Sequence, residues 1–211
     1  MADRCDPLPE RGDPLPLFPL QTVLFPGGLL SLQVFEVRYL DLVSTCLREA
    51  SGFGVVCLNQ GLEVGRAEPV RFESVGVHAR IDEADSDRPG ILRLRCTGLQ
   101  RFRLDGTPRQ GDNGLWTSAC TGLQPDPHRV PGPALYATVE ALSRAIAALR
   151  ERGRLPFAEP FRLDDAGWVA NRWCELLPIP LAAKQKLMAL EDPLLRLSVV
   201  DGYLRDKQVV R

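Results

Sequence analysis

Side chains able to do covalent or metal chemistry are sparse in this chain of 211 residues, and their spacing argues against each such chemistry in turn. The six cysteines, Cys5, Cys46, Cys57, Cys96, Cys120 and Cys174, form no C-x-x-C pair. Most sit inside apolar runs, as small buried hydrophobes do in a reducing compartment. Cys5 is the exception, in a tail where a thiol is open to adventitious oxidation. The imidazoles, His78 and His128, lie far apart and away from any cysteine, so the usual ligand spacing of a zinc site is missing and no metal or other cofactor is expected. No G-x-x-x-x-G-K-[ST] run occurs to cradle nucleotide phosphates. A serine–lysine dyad would have to join Ser143 or Ser198 to Lys184, Lys186 or Lys207, yet neither serine stands in anything resembling a nucleophile turn. The expectation is a protein that is not an enzyme.

Charge offers a second kind of chemistry. Val75, Val77, Ala79 and Ile81 alternate with polar residues, as do Leu92, Leu94 and Cys96, which is the period of half-buried strands. The alternate positions then carry His78, Arg80, Arg93 and Arg95, joined by Arg101 and Arg103 on a third strand, all expected to point away from the apolar side. Like charges facing one another across a sheet are destabilising, so something must offset them. The acidic loop of Asp82, Glu83, Asp85 and Asp87, or acids such as Asp164 and Asp165, offers one answer; an anionic ligand such as nucleic acid, gripped by arginine forks, offers another. Against the second stand a formal charge of -1 and the lack of aromatic residues between the arginines to stack on bases.

The elements that position these residues follow from hydrophobic period. The first thirteen residues are polar, acidic and aperiodic, unlike a signal peptide, and are expected to form a disordered tail. No apolar run approaches the length of a membrane span. The expected location is the cytoplasm. Residues 14–123 read as a β-rich domain with one early helix, from Glu36 to Ala50, whose apolar stripe is Leu40, Val43, Leu47 and Ala50 and which Gly52 closes. Strands are expected at Leu29 to Val34, Gly54 to Leu58, Val75 to Ile81, Leu92 to Cys96, Gln100 to Leu104 and Trp116 to Thr121, with loops at Asp82 to Gly90 and Gly106 to Gly114. Residues 124–132 are a stiff proline-rich connector. Residues 133–211 are helical: Pro133 opens a first helix, Asp164 or Asp165 caps a second, Pro180 precedes a third, and Asp192 with Pro193 starts a fourth.

The segment LPLFPLQTVLFPG followed by LQVFEVRYLDLV, Leu15 to Val43, places a Pro/Phe-rich strand, a Pro-Gly turn and a helix bearing Glu36, Arg38 and Tyr39 in a fixed order. In type and order it resembles the opening of the N-terminal, substrate-binding domain of Lon protease. The resemblance extends through FGVV at Phe53 to Val56, EVG at Glu63 to Gly65, GLQRFRL at Gly98 to Leu104 and, more loosely, LPIPLAAKQKLMALEDPLLRL at Leu177 to Leu197. It implies an α+β fold: a PUA-like, mainly antiparallel, partly closed β-subdomain with one early helix, then a helical subdomain. It also implies a free-standing copy of that domain without the ATPase and peptidase modules, one that binds unfolded or tagged polypeptide.

On this reading Glu36, Arg38 and Tyr39 are architectural, and Phe18, Phe25, Pro26 and Leu29, around the Pro-Gly-Gly turn, are the candidate peptide-binding residues. The expected function is non-catalytic polypeptide recognition, as an adaptor or regulator of a proteolytic machine. The alternative is nucleic-acid or anion binding through the arginine face. No membrane partner is expected.

Overall fold

In the computed structural model, residues 8, 13–60 and 71–210 are described. Most of the expected tail, with Cys5, and the EVG run at 63–65 lie outside the described residues. The chain divides into two compact units, Met1–Gln124 and Pro125–Arg211.

The first unit is a mixed sheet with one helix, in keeping with an α+β fold. Its strands are β1 (Leu15–Leu20), β2 (Leu29–Val34), β3 (Phe53–Gln60), β4 (Arg71–Phe72), β5 (Val75–Arg88), β6 (Ile91–Leu104), β7 (Arg109–Gln110), β8 (Trp116–Ser118) and β9 (Cys120–Gly122). The hydrogen-bonded order is β2-β6-β5-β3-β1-β8-β7, with β4 on β3 and β9 on β6. Among the described residues only β1 and β3 run parallel; the other ladders are antiparallel. The path is open, but the continuous stretch 116–122 pairs first with β1 and then with the far end of β6, which curls the sheet toward partial closure. Leu15, Leu17, Val56, Phe102 and Cys120 fill the resulting interior.

Several expectations change here. The acidic segment Asp82 to Arg88 is strand, not loop: β5 and β6 are each 14 residues long and turn at Pro89-Gly90, where Gly90 takes φ +80°. Likewise Leu92 to Cys96 and Gln100 to Leu104 are one strand, and Trp116 to Thr121 is two, broken at Ala119. The helix α1 (Val37–Glu49) buries Tyr39, Leu42, Val43 and Cys46, a face rotated from the expected stripe, and leaves Leu47 exposed. Its end is made by Ala50 at φ 49°, and Gly52 serves instead a close approach to the Ala79 carbonyl and the His78 ring.

The phase of β2 is set at its start. Gly27, at φ +71°, donates to the Gly98 carbonyl (2.7 Å), and the Gly98 N–H returns to the Gly28 carbonyl (2.9 Å). Two residues thus oppose one, a bulge of the kind that needs a left-handed glycine in first place. From the Gly28/Gly98 bonded pair the ladder alternates, so Leu30, Leu32 and Val34 bond to β6, while Leu29, Ser31 and Gln33 turn their N–H and C=O groups to the opposite edge.

The second unit is helical: a 3₁₀ turn at Pro133–Leu135, then α2 (Tyr136–Glu151), α3 (Ala166–Leu176), α4 (Leu181–Ala189) and α5 (Pro193–Asp206). Asp165 caps α3 through the Gly167 N–H, and Asp192 caps α5 through the N–H groups of Leu194 and Leu195. Every residue of α3 from Ala166 to Cys174 is buried, including Arg172. Arg196 of α5, 1% exposed, donates to both Asp126 oxygens (2.6 and 3.2 Å), to Asn171 Oδ1 (3.1 Å) and to the carbonyls of Leu187 and Leu190. The proline-rich stretch bearing Asp126 is thereby tied into this unit.

Candidate functional site

Three depressions meet in the first unit at the link between β2 and α1. Val34 ends the strand and Glu36 holds an extended backbone (φ -76°, ψ 133°) before the helix begins, so Phe35 and Val37 flank a bend and remain 53% and 71% exposed. The first depression, about 200 Å³, is lined by the consecutive residues Ser31 to Glu36 with Phe18, Leu20 and Tyr39 opposite. Successive strand residues point to opposite faces, so a groove lined by an unbroken run of them follows the strand's edge. No β6 residue lines it, which makes that edge the outer one.

The second depression, about 440 Å³, lies between Phe35 to Arg38 and the loop Gln110, Asp112, Asn113 and Gly114. Arg38 joins its walls: one guanidinium nitrogen pairs with Glu36 (2.7 Å), another donates to the Gly114 carbonyl (3.0 Å), and the group lies 4.8 Å from the centre of the Tyr39 ring. Gln110 also donates to Gly114, and Asn113 accepts from Leu115, so the loop is held from several directions. The third depression, about 480 Å³, continues past Arg38 and Asn113 along α1, with buried His78 and Cys46 at its base and Asp41 and Glu49 among its lining residues. Shared residues make the three a continuous track around the start of α1.

The candidate peptide-binding residues are not brought together. Phe18 lines the first depression, its ring stacked on Tyr39 at 4.1 Å. Phe25 is fully buried, Pro26 is half-buried, and Leu29 is exposed at the beginning of β2. The residues sequence reasoning passed over are Phe35 and Val37, whose signal was two apolar side chains on either side of Glu36 and off the helix stripe.

Two residues of the arginine face, Arg80 and Arg95, are paired with acids. Arg80 bonds to Asp82 (2.9 Å), which also accepts from Thr97, and Arg95 bonds to Glu83 (3.0 Å). Arg93 stands opposite Asp85 in the ladder. Of the expected six, His78 (1% exposed) and Arg101 (3% exposed) are buried, because both faces of the sheet are covered where Val75 to Ala79 pair with Gly98 to Arg103, the His78 ring lying against Gly52; Arg93, Arg95 and Arg103 are exposed and Arg80 is half-buried.

Burial pushes the Cys57 and Cys120 thiols up to about 11, with nearby Glu73 and Asp105 adding to it, and those of Cys96 and Cys174 up to about 12. They are poor nucleophiles. Lys184 donates to the Glu175 carbonyl. Among the described residues no group of three or more His, Cys, Asp or Glu side chains is arranged to hold a metal ion, and no helix is long and apolar enough to cross a membrane.

The family model for the substrate-binding domain of ATP-dependent protease La (Lon) matches residues 14–206. The crystal structure of a Lon N-terminal domain protein from Xanthomonas campestris is 34% identical, with a TM-score of 0.74 over 90% of this chain and 98% of that one. The N-terminal domain of the Mycobacterium avium complex Lon protease shares the fold, with a TM-score of 0.62 at 18% identity over 92% of this chain and 99% of that one. Among curated proteins, none matches.

Proposed function

Because this chain belongs to the family of Lon substrate-binding domains, we propose that it is a non-catalytic module that recognises unfolded polypeptide and serves as an adaptor or regulator of a proteolytic machine. The observation that carries this reading is the track around Phe35 to Arg38. It is concave, it presents large apolar side chains to water without apparent structural need, and Arg38 holds its walls in place. Clustered apolar exposure of that kind costs solubility and is kept where it contacts something. The charged face of the sheet favours the alternative much less, since Arg80 is paired with Asp82 along β5, Arg95 with Glu83 across the strands, and Arg93 stands opposite Asp85.

The test is fluorescence anisotropy with labelled, reduced and carboxymethylated lactalbumin and with single-stranded RNA, each at low and high salt. Salt-tolerant binding of the polypeptide that is lost in Phe35→Asp and Val37→Asp supports the reading. Binding confined to RNA and falling steeply with salt overturns it in favour of a phosphate-binding face. For the adaptor role, the rate at which a Lon protease degrades the same polypeptide should change when this protein is added; an unchanged rate removes that part of the proposal.

A further inference from the structure

Among the described residues the outer edge of β2 is unprotected: no strand or loop pairs with it, although Leu29, Ser31 and Gln33 present backbone donors and acceptors there. Its sequence, LLSLQV, contains none of the lysines, prolines or inward charges by which exposed edges are usually blunted. Beside this edge runs the groove whose far wall is Phe18, Leu20 and Tyr39. An extended chain laid along β2 would satisfy the outward amides and send alternate side chains toward that apolar wall. Its remaining side chains would fall on the side of Ser31 and Gln33, level with the Arg95–Glu83 and Arg93–Asp85 pairs, where polar groups are suited.

Resting on the polypeptide-recognition reading above, we propose that the substrate segment binds as an added strand on the outer edge of β2, and that the site selects extended segments in which apolar residues alternate with polar ones. Backbone hydrogen bonds supply sequence-tolerant affinity and the groove supplies the pattern, as in other strand-addition interfaces. The second depression continues the path beyond Phe35, where the edge ends.

The test uses the whole protein and a short labelled peptide alternating valine with threonine, in a plain form and a form N-methylated at every second residue, together with labelled carboxymethylated lactalbumin. Proline is tolerated where a strand's N–H faces away from its partner, so Ser31→Pro and Gln33→Pro remove outward donors while sparing the β2–β6 ladder. Each is expected to weaken plain-peptide binding about tenfold, in line with one or two lost hydrogen bonds, with Ser31→Ala as the unaffected control. N-methylation on the pairing side should abolish binding. Thermal unfolding of each variant is measured alongside; where a proline variant does not fold, the N-methyl comparison on the unaltered protein decides.

Equal binding of plain and N-methylated peptides, with lactalbumin still bound, overturns strand addition and leaves polypeptide recognition standing. Failure to bind either peptide or lactalbumin overturns both. A protein that sediments as a dimer, and becomes monomeric in Ser31→Pro, assigns the edge to a second copy of the chain and overturns the proposal.

Discussion

Replacing Arg196 by methionine should be among the most damaging substitutions in the helical unit. The methionine fills much of the buried volume, but Asp126, its carboxylate only 15% exposed, loses its cation, and the carbonyls of Leu187 and Leu190 lose their donors. Breaking a buried ion pair from one side costs about 3–5 kcal/mol, because the charge left behind is poorly hydrated. The residual exposure of Asp126 allows some rehydration, which favours the lower part of that range. Asp126→Asn keeps shape and a hydrogen-bond acceptor and should cost about 1–2 kcal/mol. The double variant Arg196→Met with Asp126→Leu leaves no stranded charge and should be more stable than Arg196→Met alone. Urea denaturation followed by tryptophan fluorescence is the assay, since Trp168 and Trp173 are both buried in this unit. A loss below about 1 kcal/mol for Arg196→Met, at unchanged denaturant slope, would refute the view that the guanidinium organises the unit.

Gly76→Ala should destabilise by about 2–3 kcal/mol, because a Cβ there would stand 2.5 Å from the Val55 carbonyl oxygen and 2.6 Å from the Phe102 ring; its urea midpoint checks this. Burial pushes the Glu175 carboxyl up to about 7 against the pull of Arg172 and Lys184, so the folded protein holds a proton that the unfolded chain releases near its ordinary 4.5. That contribution is present below this window and lost as pH rises through it, so the stability difference between wild type and Glu175→Gln should change by about 2 kcal/mol between roughly pH 5 and 8, measured by urea titration. Phe35→Ser and Val37→Ser should leave stability within about 0.5 kcal/mol while removing polypeptide binding, in contrast to any core substitution. Arg38→Ala leaves Glu36 unneutralised and frees the Gly114 loop, so binding of acidic carboxymethylated lactalbumin should weaken at low salt and recover only in part as salt is added, whereas Glu36→Gln, which keeps the Arg38–Gly114 bond, should strengthen binding at low salt and lose that gain with salt.

Elements whose signals are local were readable in the sequence. Asp164 or Asp165, and Asp192 with Pro193, mark helix starts because capping depends on residues a few positions apart; the structure chooses Asp165 of the first pair and places Asp192 and Pro193 as expected. The alternation around Val77 and Leu94 likewise gave strands. Asp82 to Arg88 misled because acids disfavour strands in isolation; here Asp82 accepts from Thr97 and Glu83 from Arg95 on the neighbouring strand, and Asp85 stands opposite Arg93, contacts that favour the continuation of β5. The buried state of Arg196 was equally hidden, since it depends on acceptors in distant segments, Asp126 and Asn171. The same holds for the groove. Phe18, Ser31 and Tyr39 come from separate elements, and which edge of β2 stays open is decided by β6, more than fifty residues away in sequence.

The magnitudes available at the β2 edge bear on how such a module can work. Covering Phe35 and Val37, already partly shielded, contributes about 1–2 kcal/mol each. Hydrogen bonds from Leu29, Ser31 and Gln33 to an added strand contribute about 0.5–1.5 kcal/mol apiece after exchange with water. Against these stands the cost of ordering several residues of a disordered chain, about 1–2 kcal/mol per residue. The balance places a single engagement in the weak range, micromolar at best. Weak, sequence-tolerant contact suits a recogniser that must let its polypeptide go, and it makes retention depend on a second contact: the track beyond Arg38 for the same chain, or several copies of the domain held close enough to share it.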